Sequence, residues 1–115
     1  MRVMVIVKAN NESESGQLPS QQTLADMSNF NEQLLKAGVM LAAEGLHSSA
    51  KGVRVRFGGG NSTVIDGPFA ESKEFIGGFF LVDCATRDQA LALAEECPAA
   101  EWASIEVREV GPCYE

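Results

Sequence analysis

Phe75-Ile76-Gly77-Gly78-Phe79-Phe80-Leu81-Val82-Asp83 is the most hydrophobic stretch of this chain. Its length and its aromatic and branched side chains predict a β-strand. A strand with one face in water alternates apolar and polar residues, and this stretch does not alternate. We therefore expect a strand that is buried on both faces. Gly77 and Gly78 leave room there for the close approach of a ligand, a side chain or another backbone.

The segments on either side of this strand have the periodicities of an α+β protein. Apolar alternation predicts strands at 2–8, 39–46 and 103–110, and apolar residues three and four apart predict helices at 20–37 and 86–97. Valine and arginine alternate before a glycine-rich turn, which predicts a β-hairpin at 53–66. The polar segment 10–19 predicts a loop. In the first helix, the stripe Leu24, Met27, Phe30 and Leu34 is expected in the core.

The order of these elements predicts one domain over residues 1–115. It is a βαββαβ unit, a ferredoxin-like antiparallel sheet with an inserted β-hairpin between its second and third strands. Two helices cover only one face of such a sheet. Because strands 2–8 and 75–83 are apolar on both faces, the second face also needs a cover. A second copy of the chain, packed sheet against sheet, would provide it, so we expect a homodimer.

Composition excludes several classes of function. The net charge is −7, which opposes the binding of nucleic-acid phosphates. No apolar run approaches the roughly 20 residues of a membrane-spanning helix, so we expect no membrane contact. The three cysteines, Cys84, Cys97 and Cys113, have no short paired spacing. This odd number of thiols predicts a reducing, cytoplasmic location and no zinc site.

The nine residues before the central strand carry the chain's densest group of chemical functions. They are Asp66-Gly67-Pro68-Phe69-Ala70-Glu71-Ser72-Lys73-Glu74. Asp-Gly-Pro predicts a turn, because glycine permits unusual backbone angles and proline fixes its own. Core packing would explain Phe69 but not the four charged residues. The alternative is a surface turn followed by a solvated charge run.

This motif resembles the signature of the DGPF-domain proteins, a branch of the YCII-related family. Three flanking segments agree with it: Glu44-Gly45-Leu46-His47, Gly77-Gly78-Phe79-Phe80 and Ile105-Glu106-Val107-Arg108. The resemblance covers nearly the whole chain. It implies a dimeric ferredoxin-like fold with an α/β barrel-type assembly. It implies no particular substrate, because the family has no agreed general activity.

A ligand cavity is expected between the sheet, the hairpin and the Asp66 turn. By strand parity, Glu44 and Arg108 lie on the sheet face away from the helices. If that face is covered, these charges must be paired or must face a wet cavity. We expect Glu44, Phe69, Lys73 and Arg108 to contact a ligand there.

His47 and Asp66 are predicted as a catalytic pair at the mouth of this cavity. His47 is the only histidine of the chain. A carboxylate can orient an imidazole while the ring moves a proton, which suits proton abstraction, lactone chemistry or elimination on a small cyclic substrate. YCII-related proteins carry a His-Asp pair regarded as an active site, and the resemblance places it at these two positions. The alternatives are an exposed strand-end histidine and, less favoured, a metal site that adds Glu44.

Two functions therefore stay open, with no cofactor assigned to either. The first is an enzyme that uses the His47–Asp66 pair. The second is a non-catalytic ligand-binding or regulatory module, which the resemblance links to extracytoplasmic-function sigma factors. The acidic surface would suit a basic protein partner. The third and simplest possibility is an oligomer whose pocket is vestigial.

Overall fold

The structure is a computed structural model that describes residues 1–69 and 75–112. Its β-strands are β1 (Arg2–Lys8), β2 (Met40–Gly45), β3 (Val53–Gly58), β4 (Asn61–Asp66), β5 (Ile76–Asp83) and β6 (Ile105–Glu109). Its α-helices are α1 (Asn11–Glu14), α2 (Gln21–Lys36) and α3 (Arg87–Glu96). Two 3₁₀ turns lie at Ser49–Lys51 and Pro98–Glu101.

Four strands form one antiparallel sheet in the order β2-β5-β1-β6. The two predicted doubly apolar strands, β1 and β5, are therefore the central pair. Strands β3 and β4 pair only with each other and form a separate two-stranded sheet. The predicted α+β class, with an antiparallel sheet and a hairpin outside it, is confirmed.

The hydrophobic core lies between this sheet and helices α2 and α3. Alternate residues of the central strands are buried on this side, and the ring of Phe30 in α2 meets the ring of Phe80 edge-on, with centroids 5.5 Å apart. Such a pair adds about 1 kcal/mol beyond the burial of its area. The buried residues of the core include Val3, Val5, Val7, Phe30, Leu34, Phe80, Val82, Ala90, Leu93 and Ala94.

Helix α2 begins and ends where the sequence predicts. The Ser20 side chain accepts a hydrogen bond from the backbone of Thr23, and Gly38 follows the helix with a φ of 72°, which favours glycine. Phe30 and Leu34 are buried as expected. Leu24 is 55% exposed, so its placement in the core was wrong. The reason is local, because Leu24 lies over a cavity instead of over packed side chains.

The opposite side of the sheet, here called the far face, carries two cross-strand rows. One row is Glu44, Phe79, Ile6 and Glu106; the other is Ala42, Leu81, Met4 and Arg108. The apolar members lie on the two central strands and the charged members on the edge strands. Met4, Phe79 and Leu81 are half-buried.

Two local features depart from the sequence prediction. In β2, the pairing register shifts between Met40 and Ala42. This bulge breaks the expected alternation, so Leu41 is exposed although Ala43 packs against the core. Segment 10–19 also contains the helix α1, which begins with a capping box. The Asn10 side chain accepts a hydrogen bond from the Ser13 backbone at 2.8 Å, and the Ser13 hydroxyl accepts one from the Asn10 backbone at 3.0 Å.

Candidate functional site

The motif turn, defined here as residues 66–69, packs directly against the connection between β2 and β3. Its Gly67–Pro68 peptide is cis, and the Gly67 backbone donates a hydrogen bond to the Gly52 carbonyl at 2.9 Å. A Cβ atom built on Gly67 would lie 1.7 Å from the Ser49 carbonyl oxygen. Only glycine allows this approach. The motif therefore needs a glycine at position 67 because of its contact with Ser49, which is distant in the sequence.

Glu14 and Ser49 join three segments at this contact. The Phe69 backbone donates to the Ser49 hydroxyl at 3.2 Å, and the Ser49 backbone donates to the Glu14 carboxylate at 2.7 Å. The Ser49 hydroxyl donates to the other Glu14 carboxylate oxygen, and the Ser48 hydroxyl donates to the Glu14 carbonyl. Helix α1, the 46–52 connection and the motif turn are therefore one hydrogen-bonded unit. Sequence reasoning missed Glu14 and Ser49, because no local pattern relates residues 35 positions apart.

The Phe69 ring of the motif contacts the guanidinium of Arg54. The Arg54 guanidinium lies 4.0 Å from the Phe69 ring centroid and 5.6 Å from that of Phe75. The two rings meet edge-on at 5.9 Å. A cation over a ring gains about 0.5–2 kcal/mol, depending on how far it is desolvated. Arg54 of the hairpin therefore lies against this aromatic pair.

Lys73, a predicted ligand contact, lies outside the described residues, as do Glu71 and Glu74. The described residues on either side of this segment are Phe69 and Phe75, so the segment begins and ends at two rings in contact.

His47 and Asp66 are both exposed, one on each of the two packed segments. His47 follows β2 in the 46–52 connection, where Leu46 donates a backbone hydrogen bond to Gly77 at 2.8 Å. Asp66 pairs with Val53 at the end of the hairpin. The structure thus brings together the segments that carry the predicted pair. Within residues 1–69 and 75–112, it records no hydrogen bond or ion pair between the two side chains.

Glu44 and Arg108 lie at opposite edges of the sheet. Glu44 is on β2 and Arg108 on β6, three strand spacings apart. At about 4.8 Å per spacing, that separation is roughly 14 Å. The Arg108 guanidinium lies 3.8 Å from the Glu106 carboxylate, an exposed pair of the kind that contributes about 0–1 kcal/mol. One small ligand could not bridge Glu44 and Arg108 of a single chain at this separation.

Two cavities are lined by described residues. One, of about 350 Å³, lies between α2 and the 3₁₀ turn Pro98–Glu101; the other, of about 300 Å³, lies between α2 and strands β2 and β5. Glu44 is among the residues that line the second. Neither cavity is lined by His47, Asp66, Phe69 or Arg108. The space predicted beside His47 is therefore neither of these two.

Two buried cysteines occupy the core. Cys84 and Cys97 are each 2% exposed. Burial raises the pKa of the Cys84 thiol and of the Cys97 thiol above the ordinary value. Both therefore stay protonated at neutral pH and behave as small apolar side chains, not as nucleophiles.

Over the described ranges, no group of three or more metal-ligating side chains lies together. In the same part of the chain, no helix has the length and hydrophobicity needed to cross a bilayer.

The four-stranded antiparallel sheet, the two long helices on one of its faces and the packed motif turn define a small α+β domain. The model of the YCII-related domain matches residues 1–113, so this chain belongs to the YCII-related family. An uncharacterised protein of Rhizobium meliloti is 34% identical over 90 residues, which are 76% of this chain and 73% of that protein.

A solved structure shares the fold. It is TftG of Burkholderia phenoliruptrix AC1100, a 5-chloro-2-hydroxyhydroquinone dehydrochlorinase in complex with 2,5-dihydroxybenzoquinone. The TM-score is 0.56, the sequences are 13% identical, and the match covers 96% of this chain and 94% of TftG. At this identity, the likeness shows the fold alone.

Proposed function

We propose that this YCII-related protein is an enzyme that moves a proton on a small cyclic substrate. His47 takes up or delivers the proton, and Asp66 orients the imidazole and stabilises its charged form. One observation carries the proposal. The hydrogen bonds from Gly67 to Gly52 and from Phe69 to Ser49 hold the segments of the two residues side by side.

The substrate class follows from the chemistry available to this pair. A histidine base and a carboxylate suit an elimination, in which the base takes a proton and the leaving group departs with its bonding electrons. TftG, which shares the fold, is a dehydrochlorinase whose complex holds a dihydroxylated quinone. That likeness supports a hydroxylated six-membered ring as the substrate of this chain.

The site is proposed to be completed by a second copy of the chain. Three apolar side chains of the hairpin, Val53, Val55 and Val64, are 55–64% exposed, and Phe57 is 79% exposed. The radius of gyration is 16.0 Å, against about 13 Å for a compact chain of this length. The chain is thus flat, with an apolar hairpin that its own core does not cover. A second copy would cover it together with the far face.

Dimerisation would also allow one ligand to contact both Glu44 and Arg108, which lie too far apart within a single chain. In a two-fold assembly, one edge of each sheet can approach a different edge of its partner. A ligand could then contact Glu44 of one copy and Arg108 of the other. Phe69 and Lys73 are proposed to complete these contacts beside the motif turn.

Two compounds test the proposal, 2,5-dihydroxybenzoquinone for binding and 5-chloro-2-hydroxyhydroquinone for turnover. Thermal shift measures the binding of 2,5-dihydroxybenzoquinone, because a ligand of the native state raises stability by mass action. Released chloride measures the turnover of 5-chloro-2-hydroxyhydroquinone. We expect binding and chloride release in the unmodified protein, no release from His47→Gln or Asp66→Asn, and full release from Lys51→Gln, an exposed change in the same connection.

The other outcomes decide against catalysis. Binding that is lost with His47→Gln, but with no chloride release from any variant, would favour the ligand-binding or regulatory module, including one associated with a sigma factor. If the unmodified protein shows no binding and no turnover, the proposed substrate class is contradicted.

A further inference from the structure

We propose that the cavity between α2 and the sheet binds a small aromatic molecule that carries one hydroxyl group. The cavity volume is about 300 Å³, at the lower end of the range for ligand pockets. The proposal does not depend on the function proposed for His47 and Asp66, because neither residue lines this space.

The walls of the cavity are largely apolar. Leu24 and Met27 of α2 lie on one side, Phe80 of β5 lies on the other, and Trp102 also lines the space. This arrangement explains why Leu24 is 55% exposed although it belongs to the apolar stripe of its helix. An apolar ring in the cavity would cover these side chains and would be stabilised by their contacts.

Two facing glycines form the floor. Gly45 of β2 pairs with Gly78 of β5, so this rung of the ladder has no side chains. A Cβ on Gly78 would lie 2.9 Å from the Glu44 carbonyl oxygen, so β5 needs a glycine there for steric reasons. A Cβ on Gly45 would meet no atom within 4 Å, and its φ is not positive. Neither a neighbour nor the backbone requires glycine at 45, and its structural effect is to leave the floor open.

One residue that lines this cavity carries a buried acceptor without a partner. Asn31 of α2 lines the cavity, and its Oδ1 atom is buried and accepts no hydrogen bond from any described residue. A buried polar atom left without a partner is costly, and native proteins leave few of them. A hydroxyl group on a bound ring would donate to this oxygen. Asn31 therefore selects a hydroxylated ring over a purely apolar one.

The binding test uses 4-ethylphenol and 4-ethyltoluene, which have nearly the same shape and differ in the hydroxyl group. Trp102 is the only tryptophan of the chain and lines the cavity, so its fluorescence reports the bound ring. We expect 4-ethylphenol to bind and 4-ethyltoluene to bind about tenfold more weakly, the ratio that one hydrogen bond provides. Calorimetry checks both affinities.

Four variants locate the binding site. Gly45→Val fills the floor and should abolish binding, whereas Gly58→Val, at a strand glycine with open space outside the cavity, should preserve it. Asn31→Leu should remove the preference for the phenol, an effect that does not require binding to be lost. His47→Gln should change neither affinity. Circular dichroism confirms that each variant is folded.

Three results would overturn the proposal: no binding of 4-ethylphenol, undiminished binding by folded Gly45→Val, or loss of binding in His47→Gln. The third would place the phenol at the His47 site and leave the function proposed there standing. A protein that binds 4-ethylphenol in the cavity but does not turn over a chlorinated ring would support this inference and contradict the other.

Discussion

Gly67 shows how a single residue can join segments that are distant in the sequence. Its missing side chain lets the motif turn touch the Ser49 carbonyl, and the Gly67 to Gly52 hydrogen bond depends on the same approach. Asp-Gly-Pro was predicted as a turn from its local conformational preferences. The steric reason for the glycine could not be predicted, because the atom it accommodates lies 18 residues earlier in the chain.

Substitution of this glycine should be severe. In Gly67→Ala, the new Cβ must displace backbone, so we expect the free energy of unfolding to fall by about 3 kcal/mol. Urea denaturation measures the change. Gly58→Ala is the control, because a Cβ there meets nothing within 4 Å, and it should cost less than about 0.5 kcal/mol. Equal effects of the two changes would mean that the turn does not pack as described.

The two buried thiols predict a loss of stability at alkaline pH. The pKa of Cys84 and that of Cys97 are raised by burial, so the unfolded chain releases these protons at a lower pH than the native protein. The stabilisation is complete below the ordinary thiol pKa of 9.0 and is lost as the pH rises above it.

The slope of the unfolding free energy against pH tests this effect. Between about pH 8 and pH 11, the slope should be shallower in the Cys84→Ala, Cys97→Ala double variant than in the unmodified protein. Their absolute stabilities will differ because of packing, so only the slopes are compared. Parallel curves would show that other groups cause the alkaline loss.

At the scale of elements, the helices and strands with a strong apolar periodicity were predicted from the sequence. The features that depend on contacts between distant segments were not. Helix α2, strand β5 and the β3–β4 hairpin follow from apolar spacing, a capping serine and a glycine turn. The bulge in β2 was not predicted, because the composition of that strand does not indicate it. Helix α1 has four residues, too few for any periodicity to appear.

Helix α1 has a specific role that mutation can test. The Glu14 carboxylate accepts two hydrogen bonds from Ser49, so Glu14→Gln should weaken the contact between α1 and the 46–52 connection. Because Glu14 is half-buried, we expect a loss of about 1 kcal/mol.

Hydrogen exchange locates this loss. The Ser49 and Phe69 amides should exchange faster in Glu14→Gln, because both take part in the same network. Glu12→Gln, an exposed change on the same helix, should leave them unaffected. Unchanged protection in both variants would mean that Glu14 does not hold the connection.

At the scale of the whole molecule, the apolar hairpin and the far face together form a surface that the core does not cover. The sequence predicted a surplus of apolar surface on β1 and β5. It did not predict that the hairpin would add to that surplus. In the structure, Met4, Phe79 and Leu81 are half-buried and the hairpin valines are exposed.

We expect light scattering to find a particle of twice the 12.3 kDa chain mass. Val55→Lys and Val64→Lys, which introduce charges at a cross-strand pair of the hairpin, should shift it towards the monomer. Leu35→Lys, an equally exposed apolar site on α2, should not. A monomer at micromolar concentration in the unmodified protein would remove the support for a shared site.

The contact between the rings of Phe69 and Phe75 has a consequence for how this domain can change over evolution. Since the rings close the base of the segment between them, its length and composition can vary while β4 and β5 keep their positions. New side chains can thus be sampled between Phe69 and Phe75 without remodelling the scaffold. Diversification of specificity within a lineage would be concentrated there, and an engineer could graft foreign peptides at the same place.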